Sequence, residues 1–298
     1  RTVLDRILVE AAARAGAEVR ESFAVEGLIV EGGVVRGIRG RATQGGAVAE
    51  RASIVIGADG VHSLVARAVG AAVYHEVPAL EALYLAYWSN LPTDGEFQVY
   101  QRGDRGFGAV PTNDGLTVAL VAWPIEAFEA NRRDLLGNYL AAFEADPGFV
   151  ERMRGATRET RVVGVAMDNF YRQSYGPGWA LVGDAGYHKD AVTAQGITDA
   201  FCDAESLTEA LDAVLSGRRS WDDALAAHQA ARDERTMPMF ELTCQLASFA
   251  PPSADEAALF AAVAADRQAS EDFVSVLAGT MPVREFLDPA NVGRYVAA

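Results

Sequence analysis

The stretch Gly178-Trp179-Ala180-Leu181-Val182-Gly183-Asp184 constrains this chain more than any other. A short apolar run, suited to a buried strand, halts at a glycine and an aspartate. After a loop, the residues from about Gln195 to Leu215 carry a helical pattern. Strand, turn and helix in that order make an α/β unit, and such sheets take ligands beyond the carboxyl ends of their strands. A second stretch repeats the arrangement. Ser53-Ile54-Val55-Ile56 stops at Gly57-Ala58-Asp59-Gly60, and a helix is expected from about Ser63 to Val69. If the two strands are neighbours, Asp59 and Asp184 converge on one ligand.

The chemistry of the later stretch is specific. Asp184 can accept hydrogen bonds from a polyol, and a helix starting near Gln195-Gly196 offers backbone N–H groups without intrahelical partners. Those donors and the helix dipole stabilise negative charge on a ligand. Gly196 lets backbone approach a flat ring closely.

Between the two stretches the texture changes. Tyr84 to Ser89, Phe97 to Gln101, Gly106 to Pro111 and Leu116 to Trp123 are aromatic-rich strand candidates, separated by turn signals such as Asn113-Asp114-Gly115. They read as an antiparallel sheet inserted into the first domain. Strands are also expected at Ala17 to Arg20, Ala24 to Val30, Val34 to Arg39, Ala47 to Arg51 and Val162 to Ala166. Helices are expected at Thr2 to Ala15, Arg133 to Ala145 and Pro147 to Arg154. Beyond Trp221 the chain is helical, with breaks expected near Pro238 and Pro251-Pro252. The expected division is 1–72 and 161–235 for the α/β domain, 73–160 for the inserted sheet and 236–298 for a helical tail.

Composition removes other classes. A net charge of −15 repels phosphate backbones and anionic lipid. The chain has no apolar run near the ~18 residues of a membrane helix, and no export leader is visible. Cys202 and Cys244 lack metal spacing and read as buried free thiols, which suits a reducing cytoplasm. Lys189, the one lysine, reads as solvated. His62, His75, His188 and His228 show no metal spacing, and His188 reads as a hydrogen-bonded loop residue more readily than as a catalyst.

The residues from Gly178 to Ala200 resemble the glycine-aspartate motif of FAD-dependent monooxygenases of the aromatic-hydroxylase type, the group A flavoproteins. Gly57-Ala58-Asp59-Gly60-Val61-His62-Ser63-Leu64-Val65-Ala66-Arg67 resembles that family's aspartate-glycine motif, and Arg232-Asp233 its arginine-aspartate helix. The resemblance implies an α/β FAD/NAD(P)-binding fold of the glutathione-reductase-like kind, with an inserted antiparallel substrate-domain sheet and a helical C-terminus. It implies FAD as cofactor and NADH or NADPH as reductant. Asp184 would bind the ribityl chain, flanked by Gly183 and Ala185, with Gln195, Gly196 and Ile197 near N1 and O2 of the isoalloxazine. Asp59 and Gly60 would support the pyrophosphate side, and Arg1 would touch FAD. Ala191 stands where the family has proline, which leaves that loop less rigid. The family's N-terminal G-x-G-x-x-G βαβ unit is absent from these residues, because Gly103, Gly106 and Gly108 lie among strands. The chain opens at Arg1 inside a helical pattern, so residues upstream are expected.

The implied activity is hydroxylation of a small aromatic or apolar organic substrate by O2 through a C4a-hydroperoxyflavin. No side chain is assigned as an obligatory acid or base. Tyr87, Trp88, Tyr100 and Phe107 either line the substrate pocket or pack the core. Three other readings stay open: a flavin-dependent halogenase, whose W-x-W-x-I-P signature is replaced by Phe107-Gly108-Ala109-Val110-Pro111; a prenyl-chain reductase; and a flavin-free remnant.

Overall fold

The computed structural model describes residues 2–43 and 45–297. Among these residues the chain is a mixed α/β structure with antiparallel sheets and C-terminal helices. The first helix, Thr2–Arg14, follows the expected period, yet none of its residues is buried, and Val3, Ile7 and Leu8 stand exposed. Ala17 to Arg20 form no strand. They are exposed throughout, and Arg20 pairs with Glu18 at 2.6 Å, so neither face has a sheet to cover. Phe23–Glu31, Val34–Ala42 and Ala47–Arg51 then form a three-stranded antiparallel sheet. Its first hairpin turns on Gly32 and Gly33, at φ 57° and 81°, where a side chain would be strained.

Val55–Gly57 pairs in parallel with Trp179–Leu181, Leu181 lying opposite Gly57, and Tyr175–Gly176 flanks the pair. Val55, Val65, Trp179 and Leu181 form one buried cluster behind these strands. Gly57 permits the close approach: a Cβ there would sit 2.8 Å from both Leu181 and Val65 side-chain atoms.

The aromatic strands form the largest sheet, in the order Thr157–Arg158, Glu81–Ser89, Leu116–Pro124, Arg105–Pro111, Gln98–Arg102, with Val163–Val165 also on Glu81–Ser89. Strand alternation divides the faces. Ala82, Tyr84, Ala86 and Trp88 are buried against Tyr139, Phe143 and Phe149 of the segment that covers that face. Each large side chain so buried stabilises the fold by roughly 1.5–3 kcal/mol.

A fourth sheet, Tyr187–His188, Asn169–Arg172 and Val73–Val77, is absent from the sequence reading. His75 at φ 49° and a register irregularity between Asn169 and Tyr171 interrupt the period-two signal there. The helix Trp221–Ala247 runs through Pro238, where a break was expected. Thr236, Phe240 and Thr243 are buried on either side of the proline, and that packing offsets the roughly 3 kcal/mol a helical proline costs. The chain does break at Pro251-Pro252, before Ala254–Ala265, Arg267–Leu277, Val283–Phe286 and Pro289–Ala297, which share a core including Leu259, Val276 and Phe286. No helix among the described residues is long and apolar enough to cross a membrane.

Candidate functional site

Parallel pairing places the turns after Gly57 and Leu181 at the same end of neighbouring strands, with Val182 donating its N–H to Gly57 O at 3.0 Å. Asp59 and Asp184 both follow there, and both are exposed. Their carboxylates differ. Asp59 Oδ2 accepts the backbone N–H groups of Leu64 (2.7 Å) and Val65 (3.2 Å), while Ser63 Oγ accepts that of Ala66 at 2.9 Å. Together they cap the helix Leu64–Val69. Gly60 turns the chain at φ 75°. Asp184 accepts no hydrogen bond among the described residues. It sits in the turn Gly183–Ala185, which Gly183 enters at φ 59°. Buried Asp203 accepts the Gly183 N–H at 2.9 Å and fixes that turn from behind.

The loop that follows is fastened at several points. Tyr187–His188 adds to the Asn169–Arg172 strand, and His188 Nδ1 lies 2.8 Å from Asp168 O. The Asp190 N–H donates to Asn169 Oδ1 at 2.6 Å, and Thr193 Oγ1 lies 2.8 Å from Thr243 Oγ1. Lys189 is not solvated. Its side chain is 2% exposed and pairs with Asp199 in the first turn of the helix Gly196–Leu215. Burial draws the ammonium's pKa down, and Asp199 opposes that shift. Ala194 takes the left-handed conformation at φ 55° just before the helix.

That helix begins at Gly196 without a side-chain cap, and a Cβ on Gly196 would meet nothing within 4 Å. Ile197 and Phe201, four residues apart on one helical face, are each 45% exposed, and Val192 in the preceding loop is 38% exposed. Uncapped donors beside exposed apolar side chains suit a flat, polar-edged ring. Gln195 precedes the helix start. Its side chain turns away and donates to Leu277 O among the C-terminal helices, leaving its backbone at the helix start. Ala185 is fully buried, whereas Ala191 is exposed and lines a cleft with Leu83, Val165, Met167 and His188. Arg1 lies outside the described residues.

Of the aromatic candidates, Trp88 and Phe107 are buried in the core beneath the helices, with Trp88 Nε1 donating to Tyr139 OH at 3.0 Å. Tyr100 packs against the same core, stacked on Phe107 at 5.0 Å. Those three therefore do not line the Ala191 cleft. Tyr87 alternates onto the other face, half-buried.

Two arginines were missed as site-builders. Arg172 donates to Val61 O at 3.2 Å and to Ala185 O at 3.0 Å, tying both motifs together, with its guanidinium 4.1 Å from the Phe170 ring centre. Arg232 is fully buried and donates to Gly186 O (3.2 Å), Arg172 O (3.1 Å) and Tyr74 OH (2.8 Å). Asp233 pairs with Arg232 at 2.9 Å and accepts from Tyr74 at 2.6 Å. Arg232-Asp233 was read in the sequence as a family motif without a role at the site, and nothing local singled out Arg172. Cys202 and Cys244 are free and half-buried, and burial pushes the Cys244 thiol up to about 11. A larger hollow of about 420 Å3, lined by Glu18, Arg20, Phe23 and Glu50, contains none of the motif residues.

A parallel strand pair, an aspartate at its carboxyl end that accepts no hydrogen bond among the described residues, and an uncapped helix start make the strand-end arrangement at which α/β sheets take ligands. The family described as "FAD binding domain" matches residues 1–242, and this chain belongs to it. Over 219 residues it is 33% identical to a digeranylgeranylglycerophospholipid reductase of Methanocella arvoryzae, covering 67% of this chain and 50% of the relative. The corresponding reductase of Methanosarcina acetivorans is 30% identical, covering 73% and 53%. The chain thus spans about half the length of the curated relatives it matches. Among solved structures, the myxobacterial chondrochloren halogenase superposes with a TM-score of 0.74 at 21% identity, covering 99% of this chain and 72% of that one. A probable FAD-dependent monooxygenase from Pseudomonas aeruginosa gives 0.64 at 21%, covering 93% and 71%. At those identities the likeness is one of fold.

Proposed function

We propose that the protein is an NAD(P)H-dependent flavin monooxygenase acting on a small aromatic or apolar organic molecule. The observation that carries this reading is the Asp184 carboxylate, which accepts no hydrogen bond among the described residues, beside the uncapped helix start at the carboxyl end of the parallel strand pair. Asp184 would take the ribityl hydroxyls, and the N–H groups at Gly196 and Ile197 would hold negative charge at the pyrimidine edge. Asp59 and Gly60 would face the pyrophosphate side, with one Asp59 oxygen already capping its own helix. FAD, when bound, supplies the redox chemistry, drawing electrons from the nicotinamide and activating O2. The protein's part is to orient the substrate and exclude water. We assign residues 73–160 to the substrate domain and the protein to the cytoplasm, where NAD(P)H is regenerated.

The named relatives favour a second reading, reduction of prenyl chains. Oxygen uptake separates the two. A monooxygenase consumes O2 in step with substrate and NAD(P)H, whereas a prenyl reductase saturates its lipid under nitrogen. NAD(P)H oxidation that proceeds equally without O2, with any aromatic substrate present, would sink the first reading. Bromide- or chloride-dependent incorporation of halogen would instead select the fold's halogenase chemistry.

A further inference from the structure

Glu81 opens the strand Glu81–Ser89, where the large sheet meets the loop after Asp184. It is 2% exposed, yet its Oε2 has no hydrogen-bond partner among the described residues. Asp190, 8% exposed, lies against it, and both line the cleft beside Ala191. Leaving a buried polar atom unpaired costs roughly 1–3 kcal/mol, so a partner that reaches Oε2 gains that much over one that does not. We propose that Glu81, backed by Asp190, recognises the hydroxyl head group of an otherwise apolar substrate, a phenol or an alcohol. This rests on reading the Ala191 cleft as the substrate side of the cofactor.

The chemistry selects the head group. Burial and the neighbouring Asp190 push the Glu81 carboxyl up to about 9, so at neutral pH it carries its proton. Whichever carboxyl oxygen carries that proton, Oε2 has no partner among the described residues, and a hydroxyl can either donate to it or accept from it. An ammonium would bring three donors to one free oxygen and lose its hydration, so a hydroxyl fits better. Size agrees. Only about 20 Å3 of the cleft can be reached by the centre of a water molecule, which is room for about one oxygen atom. Leu83, Val165, Ala166 and Met167 supply apolar walls. The other titratable residue lining the cleft, His188, already has Nδ1 engaged with Asp168 O.

The test compares phenol with anisole, its methyl ether, by titration calorimetry on the full chain with and without FAD. Phenol should bind about tenfold more tightly, the value of one buried hydrogen bond. Glu81→Leu should erase the preference. Glu81→Gln should retain it, because the amide N–H can donate to Asp190 while its oxygen still accepts. An infrared readout does not depend on Glu81→Leu folding. Phenol, but not anisole, should shift a protonated-carboxyl C=O band that Glu81→Gln lacks. Equal binding of the two probes, no binding of phenol, or an unmoved band each overturns the inference. If FAD binds while the probes are indistinguishable, this inference falls and the flavin site stands. If the Glu81-dependent preference survives in a chain that takes up no FAD, the head-group site stands and the flavin reading falls.

Discussion

The two strand ends share a local pattern and divide its uses. After Val55–Gly57, the Asp59 carboxylate turns inward and caps a helix of its own segment. After Trp179–Leu181, Asp184 accepts no hydrogen bond among the described residues, while Asp203 does the bracing from behind. A carboxylate with its hydrogen bonds already made contributes chiefly to stability, whereas one left open at a strand end is available to a ligand. One motif can thus serve the fold and the other the cofactor.

The severest way to break this comparison is to remove what braces the second end. Arg232→Ala strips a fully buried guanidinium from Gly186 O, Arg172 O, Tyr74 and Asp233, and should cost roughly 3–5 kcal/mol in urea unfolding. A loss below about 1 kcal/mol would mean the second end is held some other way. The central pair comes next. Asp184→Ala should weaken FAD binding about 10- to 100-fold, as expected for one hydrogen bond to a charged group, with stability within about 0.5 kcal/mol of wild type. Asp59→Ala should cost about 1 kcal/mol of stability. Fluorescence titration with FAD and chemical denaturation measure both, and a reversed pattern would invert the assignment.

Acid should loosen the two ends unequally. His228 lies 3.5 Å from Asp203, and burial, with Arg232 and Arg235 near it, lowers its pKa from 6.5 to about 4. The unfolded chain therefore binds the extra proton first. Stability from neutral His228 is fully present above pH 6.5 and is lost as pH falls toward about 4. Asp203 is shifted upward by burial and opposes this trend, so the profile of a His228→Gln variant must be subtracted. Hydrogen exchange should then show the Gly183 amide losing protection in acid through His228, with Leu64 and Val65 unaffected. The smallest effect concerns backbone strain. Ala194→Gly relieves a left-handed alanine but frees the unfolded chain, for a net gain of about 0.5 kcal/mol in thermal unfolding. The first end already turns on Gly60 and offers no such gain.

Legibility in the sequence tracked distance along the chain. Trp179-Ala180-Leu181-Val182 and the helix Gly196–Leu215 were readable because apolar period and turn glycines act over a few residues. Pro238 misled for the converse reason: the local rule forbids it, and packing by Phe240 and its neighbours from elsewhere overrides the rule. Trp88 and Phe107 stayed open between pocket and core because aromatic content does not state which sheet face meets helices and which meets the cleft. Lys189 and Arg172 look like surface residues until Asp199, Val61 and Ala185 are brought to them.

By itself the sequence determined the segments and their ends: where strands stop, where glycine admits a left-handed turn, and where a helix begins with its N–H groups bare. Only the tertiary structure decided that Gly57 lies beside Leu181, that Asp59 is satisfied while Asp184 is not, and that Glu81 is buried against Asp190. The reason is physical. Backbone preference is a property of neighbouring residues, whereas a carboxylate's role depends on which donors reach it, and those donors come from distant parts of the chain.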